Sequence, residues 1–271
     1  MTVYSSPLAR KPLSILDLAA LKRAGEKISC LTAYDASFSA LADKVGIDIL
    51  LVGDSLGMVI QGQSSTIPVT LEQMVYHCRC VNQARQRAFV IADLPFLSYT
   101  NATDALKNAA KLLQEGGAQM VKLEGNHPDI IRALVEFGVP VCGHLGLLPQ
   151  SINQLGSYKV RGQEHLEADK IFADAQRLEQ MGVSLLVLEC IPAALAQKIT
   201  AHLNIPVIGI GAGMECDGQV LVLYDMLGIS LGKRPRFSKN FMAEACSIED
   251  ALVRYQHEVK NRLFPNADYS Y

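Results

Sequence analysis

The sequence predicts an α/β fold of the (β/α)8 kind, a TIM barrel, on three observations. Seven short apolar runs recur at 28–33, 49–53, 89–93, 120–124, 139–143, 185–189 and 206–210. They are nearly continuous in hydrophobicity instead of alternating, which is how strands covered on both faces read. Amphipathic patterns fill most of the spaces between them without a linker, and 271 residues suits a single barrel of about 250. A doubly wound open sheet shares these features and is the rival architecture. The chain reads as one domain over 1–271, with an N-terminal helical extension over 1–26 and a C-terminal helix and tail over 247–271.

Each element has a local cause. Ser14 with Asp17 three residues later opens a helix over 15–24, placed to plug the bottom of the barrel. Phe38, Leu41, Ala42 and Val45 form one apolar stripe of a helix. Leu71, Met74, Val75 and Cys78 form another, opened by Thr70 and Gln73 as a capping box. Ile171, Phe172, Ala175 and Leu178 continue the pattern, and Pro192 suits the first position of a helix carrying Leu195 and Ile199. The eighth unit is ambiguous. Residues 220–224 suit a strand or a buried helix, and 213–218 leave no room for a helix before them. Ala251, Leu252, Tyr255 and Val259 mark a last helix.

Composition narrows the function. The net charge of −2 argues against nucleic acid or a charged membrane surface as the main partner. No apolar run approaches the roughly 20 residues of a membrane span. The sequence shows no signal-peptide pattern, and its seven cysteines are odd in number and scattered, with no Cys-x-x-Cys pair. The expected compartment is therefore the reducing cytoplasm. His77-Cys78-x-Cys80 lacks both zinc-knuckle spacing and a second ligand pair.

The ends of the runs carry the chemistry. Asp54 follows the second, Asp93 closes the third, Lys122 and Glu124 alternate at the end of the fourth, His144 ends the fifth and Glu189 the sixth. Any one strand reaching solvent ends this way, but five together put their charges on the C-terminal rim, where barrel active sites lie. Lys122 and Glu124 share a face by period two and point together into the mouth. Clustered carboxylates raise one another's pKa unless a cation joins them. Without thiolate or paired-histidine ligands, that cation is Mg2+ before Zn2+. Its open positions suit a 2-oxo acid chelating through keto and carboxylate oxygens. Lys122 is then placed to stabilise an enolate or hold the carboxylate, and Glu189 to act as general base. His144 reads as a packed histidine behind the site, or as a direct ligand or acid in contact with the substrate. The run from Gly209 to Gly213 suits a tight turn or a phosphate cradle. The basic stretch from Lys233 to Arg236 suits a solvated face or an anion site.

The chain also resembles a known family. The matching segments are Leu31-Thr-Ala-Tyr-Asp35, Leu51-Val-Gly-Asp-Ser-Leu-Gly-Met58, Pro68-Val-Thr70, Ala92-Asp-Leu-Pro-Phe96, Val121-Lys-Leu-Glu-Gly125 and Val141-Cys-Gly-His-Leu-Gly146. Pro149-Gln150, Tyr158-Lys-Val160, Leu188-Glu-Cys190, Ile208-Gly-Ile-Gly-Ala-Gly213 and Phe237-Ser-Lys-Asn-Phe241 follow in order. Together they resemble the ketopantoate (3-methyl-2-oxobutanoate) hydroxymethyltransferases from about residue 27 to 265. The resemblance implies a (β/α)8 barrel, one Mg2+ per subunit and a homodecamer. It implies small-molecule substrates: 5,10-methylenetetrahydrofolate donates a hydroxymethyl unit to 3-methyl-2-oxobutanoate, giving 2-dehydropantoate for pantothenate biosynthesis through a Mg-stabilised enolate. By position, Asp54 and Asp93 match direct metal ligands and Glu124 the third metal-site carboxylate. Ser55 and Lys122 match contacts to the oxo acid, and Glu189 matches the proton acceptor. A related lyase or mutase of the phosphoenolpyruvate/isocitrate type would share the barrel, but its catalytic cysteine loop has no counterpart after the third strand.

Overall fold

The computed structural model describes residues 11–271, so the first ten residues of the expected 1–26 extension lie outside it. Eight parallel strands close a barrel in chain order. They are β1 (Ile28–Thr32), β2 (Ile49–Val52), β3 (Phe89–Asp93), β4 (Met120–Glu124), β5 (Val141–Gly146), β6 (Leu185–Glu189), β7 (Val207–Ile210) and β8 (Gly218–Leu221). β8 returns to β1 with Cys30 opposite Val220, which overturns the open-sheet alternative.

Two expectations need correction and one ambiguity is resolved. The fifth strand starts two residues later than the apolar run and continues past His144 to Gly146, because Val139 still donates to Leu134 O of the preceding helix. Residues 220–224 are strand and helix in turn: β8 ends at Leu221, and a one-turn helix, Leu223–Met226, follows. Pro192 is the cap of Ala193–His202, not its first residue, with an extended ψ of 135°. The tight link from β7 to β8 contains no helix, as expected.

Two apolar layers hold the fold. Strand residues facing outward pack with the surrounding helices, and those facing inward form a second cluster. The inward set runs by period two: Ile49 and Leu51, Phe89 and Ile91, Met120, Cys142, Leu185 and Val187. Leu18 of the N-terminal helix Ile15–Arg23 joins it from below, so that helix seals the bottom. Its start is fixed by the reciprocal Ser14–Asp17 capping box. No helix among the described residues is long and apolar enough to cross a membrane.

Candidate active site

Continuing each inward stripe one step upward gives the polar residues of the rim. Phe89 and Ile91 lead to Asp93, Met120 to Lys122 and Glu124, Cys142 to His144, and Leu185 and Val187 to Glu189. Asp93, Lys122, Glu124 and His144 are all buried, and Glu189 keeps 15% of its side chain exposed. On β2 the step above Leu51 is Gly53. A Cβ there would stand 2.8 Å from Ser55 Oγ and 3.6 Å from Asp93 Oδ2, in the space through which Asp54 meets Asp93.

Strand register then sets the contacts. Asp93 and Lys122 are Cα partners, and Lys122 Nζ donates to Asp93 Oδ1 at 2.6 Å. The Asp54 backbone N–H donates to Asp93 Oδ2 at 3.1 Å. Glu124 and His144 are partners too, with His144 Nδ1 3.6 Å from Glu124 Oε1. On its other side His144 Nε2 lies 3.2 Å from Glu189 Oε2. The approach is too poorly aligned for a hydrogen bond, so both ring nitrogens are buried without a partner. Ser55 Oγ shares a 2.9 Å hydrogen bond with the hydroxyl of buried Tyr34. All seven predicted site residues therefore occupy one end of the barrel.

Charge at this end is unbalanced. Burial, reinforced by the Asp93 charge, pushes the Asp54 carboxyl up to about 7 against the pull of Lys122. Burial and the charge of Asp54 raise Glu124 well above the carboxylate range. Burial would lower the Lys122 ammonium, but Asp93, Asp54 and Glu124 outweigh it and hold the pKa above its ordinary value. Burial and nearby Lys122 lower the His144 imidazole, which keeps it neutral at pH 7. Such a set of oxygen donors with surplus negative charge fits a hard divalent cation. Among the described residues no three His, Cys, Asp or Glu side chains form a ready-made cage.

The residues missed by sequence reasoning are neutral. Gln150, in the turn Pro149–Ser151 after β5, reaches both Asp54 and Glu124, and Tyr99 holds Gln150 in place. Only the matching Pro149-Gln150 segment pointed there, since an uncharged residue off the strand ends carries no pattern signal. Beside Glu124 and Gln150 the mouth opens into a cleft of about 470 Å3 with Phe96, Tyr99, His127 and Leu148 on its walls. Elsewhere, Gly211 has φ +60°, and a Cβ would come within 3.1 Å of Phe237, so the glycine run is a close-packed turn. His77 Nδ1 meets Tyr34 O at 2.7 Å and Cys78 is core, which leaves no zinc site in that motif.

A closed parallel barrel with buried carboxylates and a lysine at its C-terminal mouth defines a (β/α)8 enzyme. Solved structures share the fold. A phosphonopyruvate hydrolase complex with oxalate and Mg++ has TM-score 0.60 and 11% identity, covering 77% of this chain and 80% of that one. An oxaloacetate acetylhydrolase complex with the inhibitor 3,3-difluorooxalacetate has TM-score 0.60 and 14% identity, covering 95% and 100%. Sequence identity this low speaks for the fold alone.

Closer relatives decide the family. The model of the ketopantoate hydroxymethyltransferase family matches residues 12–267. The 3-methyl-2-oxobutanoate hydroxymethyltransferase of Alkalilimnicola ehrlichii is 53% identical over 267 residues, covering 98% of this chain and 96% of its own. That of Methylococcus capsulatus is 55% identical over 262 residues, covering 96% and 97%. The chain belongs to the ketopantoate hydroxymethyltransferase family, and it is a transferase.

Proposed function

We propose that the protein transfers a hydroxymethyl unit from 5,10-methylenetetrahydrofolate to 3-methyl-2-oxobutanoate, giving 2-dehydropantoate in pantothenate biosynthesis. The names of its relatives support the reaction, and the observation that carries it is the buried cluster of Asp54, Asp93, Lys122 and Glu124 at the barrel mouth. Asp54 and Asp93, with Glu124, would hold Mg2+. When bound, the ion supplies Lewis acidity that polarises the keto group of a chelating 2-oxo acid.

The chain's own residues do the rest. Ser55 Oγ, oriented by Tyr34, contacts the carboxylate of the oxo acid. Lys122 keeps its proton under the pull of three carboxylates and neutralises the oxygen on which negative charge develops. Glu189 accepts the C3 proton. Neutral His144 lies beside it, its Nε2 3.2 Å from Glu189 Oε2. C3 then bonds to the one-carbon unit of the donor, water supplies the hydroxyl oxygen, and tetrahydrofolate leaves. A homodecamer in the cytoplasm completes this reading. It requires sedimentation at ten times the 29.5 kDa chain mass.

An assay coupling loss of 3-methyl-2-oxobutanoate and methylenetetrahydrofolate to 2-dehydropantoate tests the reaction. Turnover abolished by chelator and restored by Mg2+ is the expected result. Absence of turnover with both substrates and Mg2+ would reject it.

A further inference from the structure

Gln150 is the most connected neutral side chain at the site, and no step above uses it. It is 5% exposed and sits at the second position of the turn Pro149–Ser151, where the backbone N–H has no partner within the turn. That N–H donates to Glu124 Oε2 at 3.0 Å. The side-chain amide donates twice, to Asp54 Oδ2 at 2.8 Å and to Leu94 O at 3.0 Å. Its own oxygen accepts the Tyr99 hydroxyl at 2.6 Å. The Tyr99 oxygen in turn receives the Glu124 N–H at 3.4 Å.

These contacts fix the orientation of the amide. Turned over, it would set its oxygen against the Leu94 carbonyl, which cannot donate, and its NH2 against the Tyr99 hydroxyl that now donates to it. They also occupy one oxygen of each carboxylate, Oδ2 of Asp54 and Oε2 of Glu124, leaving Oδ1 and Oε1 without a hydrogen-bond donor from Gln150. Gln150 thus spans the mouth from β5 and ties together side chains borne on β2 and β4.

We propose that Gln150 is a positioning residue that makes Asp54 and Glu124 offer one oxygen each to a divalent cation. The inference rests on the metal reading above and deepens it. Monodentate presentation suits an ion that needs near-octahedral geometry and keeps several water or substrate positions. A carboxylate free to rotate would present both oxygens, and partners that orient ligands in this way typically carry 10–100-fold in metal affinity, to order of magnitude.

The test is Mn2+ binding to chelator-treated protein, followed by the loss of free-ion signal in electron paramagnetic resonance, with no substrate present. Gln150→Met keeps the side-chain length and the backbone N–H but deletes the amide. Its Mn2+ dissociation constant is expected to rise roughly 10–100-fold, in protein that circular dichroism shows to be folded at the assay temperature. Tyr99→Phe frees the amide oxygen and removes the acceptor of the Glu124 N–H, and should weaken binding in the same direction by less, roughly 10-fold or below. It serves in place of Gln150→Met if that variant does not fold. Wild-type affinity in a folded Gln150→Met, or in Tyr99→Phe when it alone folds, would overturn the positioning role while leaving the metal reading in place. Failure of the wild-type protein to bind Mn2+ would overturn both.

Discussion

Asp48 and Asp54 bracket β2, one at each end of the barrel, and both are buried, at 1% and 4% exposure. Their surroundings are opposite. Asp48 Oδ2 receives the Ser29 N–H at 3.0 Å and its hydroxyl at 2.9 Å, Arg87 reaches Oδ1 at 3.0 Å, and Lys260 pairs with the same carboxylate. Asp54 has a neutral amide as its side-chain donor, while Lys122 is engaged by Asp93. The bottom of the barrel matches its buried charge with partners already in the chain. The top gathers Asp54, Asp93, Glu124 and Glu189 around one lysine, an excess that the proposed metal would balance. Compensation by two cations marks Asp48 at the stabilising end, and a deficit of positive charge marks the working end.

The sharpest way to break this contrast is to remove charge at the top. Asp93→Asn discards the acceptor of the Lys122 ion pair together with a metal-site charge. Because a bound metal contributes several kcal/mol to a transition state, activity should fall by roughly 10³-fold or more. Near-normal turnover at ordinary Mg2+ would remove Asp93 from the metal site. Next in size is Glu189→Gln. Exchange of the C3 hydrogen of 3-methyl-2-oxobutanoate with deuterated water reads proton removal apart from transfer. It should slow by ~10²–10⁴-fold with oxo-acid binding nearly normal. Exchange at the wild-type rate would move the base to another residue, His144 first.

A pair of equal substitutions on β2 tests the comparison itself through stability. Asp48→Asn leaves Arg87 and Lys260 without their carboxylate and should cost about 2–3 kcal/mol, since both cations are partly exposed. Asp54→Asn should do the reverse in metal-free protein. Its carboxyl pKa is raised on folding from 3.8 to about 7, so ionising it opposes folding. The cost is absent below pH 4, grows as pH rises toward 7 and is then constant, on the order of a few kcal/mol. At pH 8 the metal-free variant should therefore melt several degrees above the wild-type protein, and the gap should close below pH 4. Melting shifts of the same sign for both variants would end the contrast. The smallest effect belongs to the bottom seal. Ser14→Ala removes half of a capping box and should cost about 1 kcal/mol in denaturant titration, with kcat unchanged.

The barrel was legible because its strands are apolar on both faces and its charged residues fall at their ends. β3, β4 and β6 coincide with their apolar runs, since Asp93, Glu124 and Glu189 end strand and run together. β5 did not, because His144 breaks the hydrophobicity while remaining an inward, paired strand residue. β8 was obscured because apolar residues continue from strand straight into a one-turn helix. At the site, the charged residues announced themselves, whereas Gln150 and Tyr99 became visible only when three loops met over the mouth. Neutral donors acquire meaning from their partners, and partners 51 to 96 residues apart are beyond any local pattern.

The unbroken inward stripes have a further consequence for tolerance to change. Several rim charges stand on columns of close-packed hydrocarbon, Asp93 above Ile91 and Phe89, Glu189 above Val187 and Leu185. A methyl group lost low in such a column costs little folding free energy, about 0.5–1.5 kcal/mol for isoleucine to valine. The same loss lets the charge above it drift, and catalytic geometry is far less forgiving than a core. Drift through the barrel interior therefore registers first in turnover and only later in stability, so selection for catalysis guards positions that never touch a substrate.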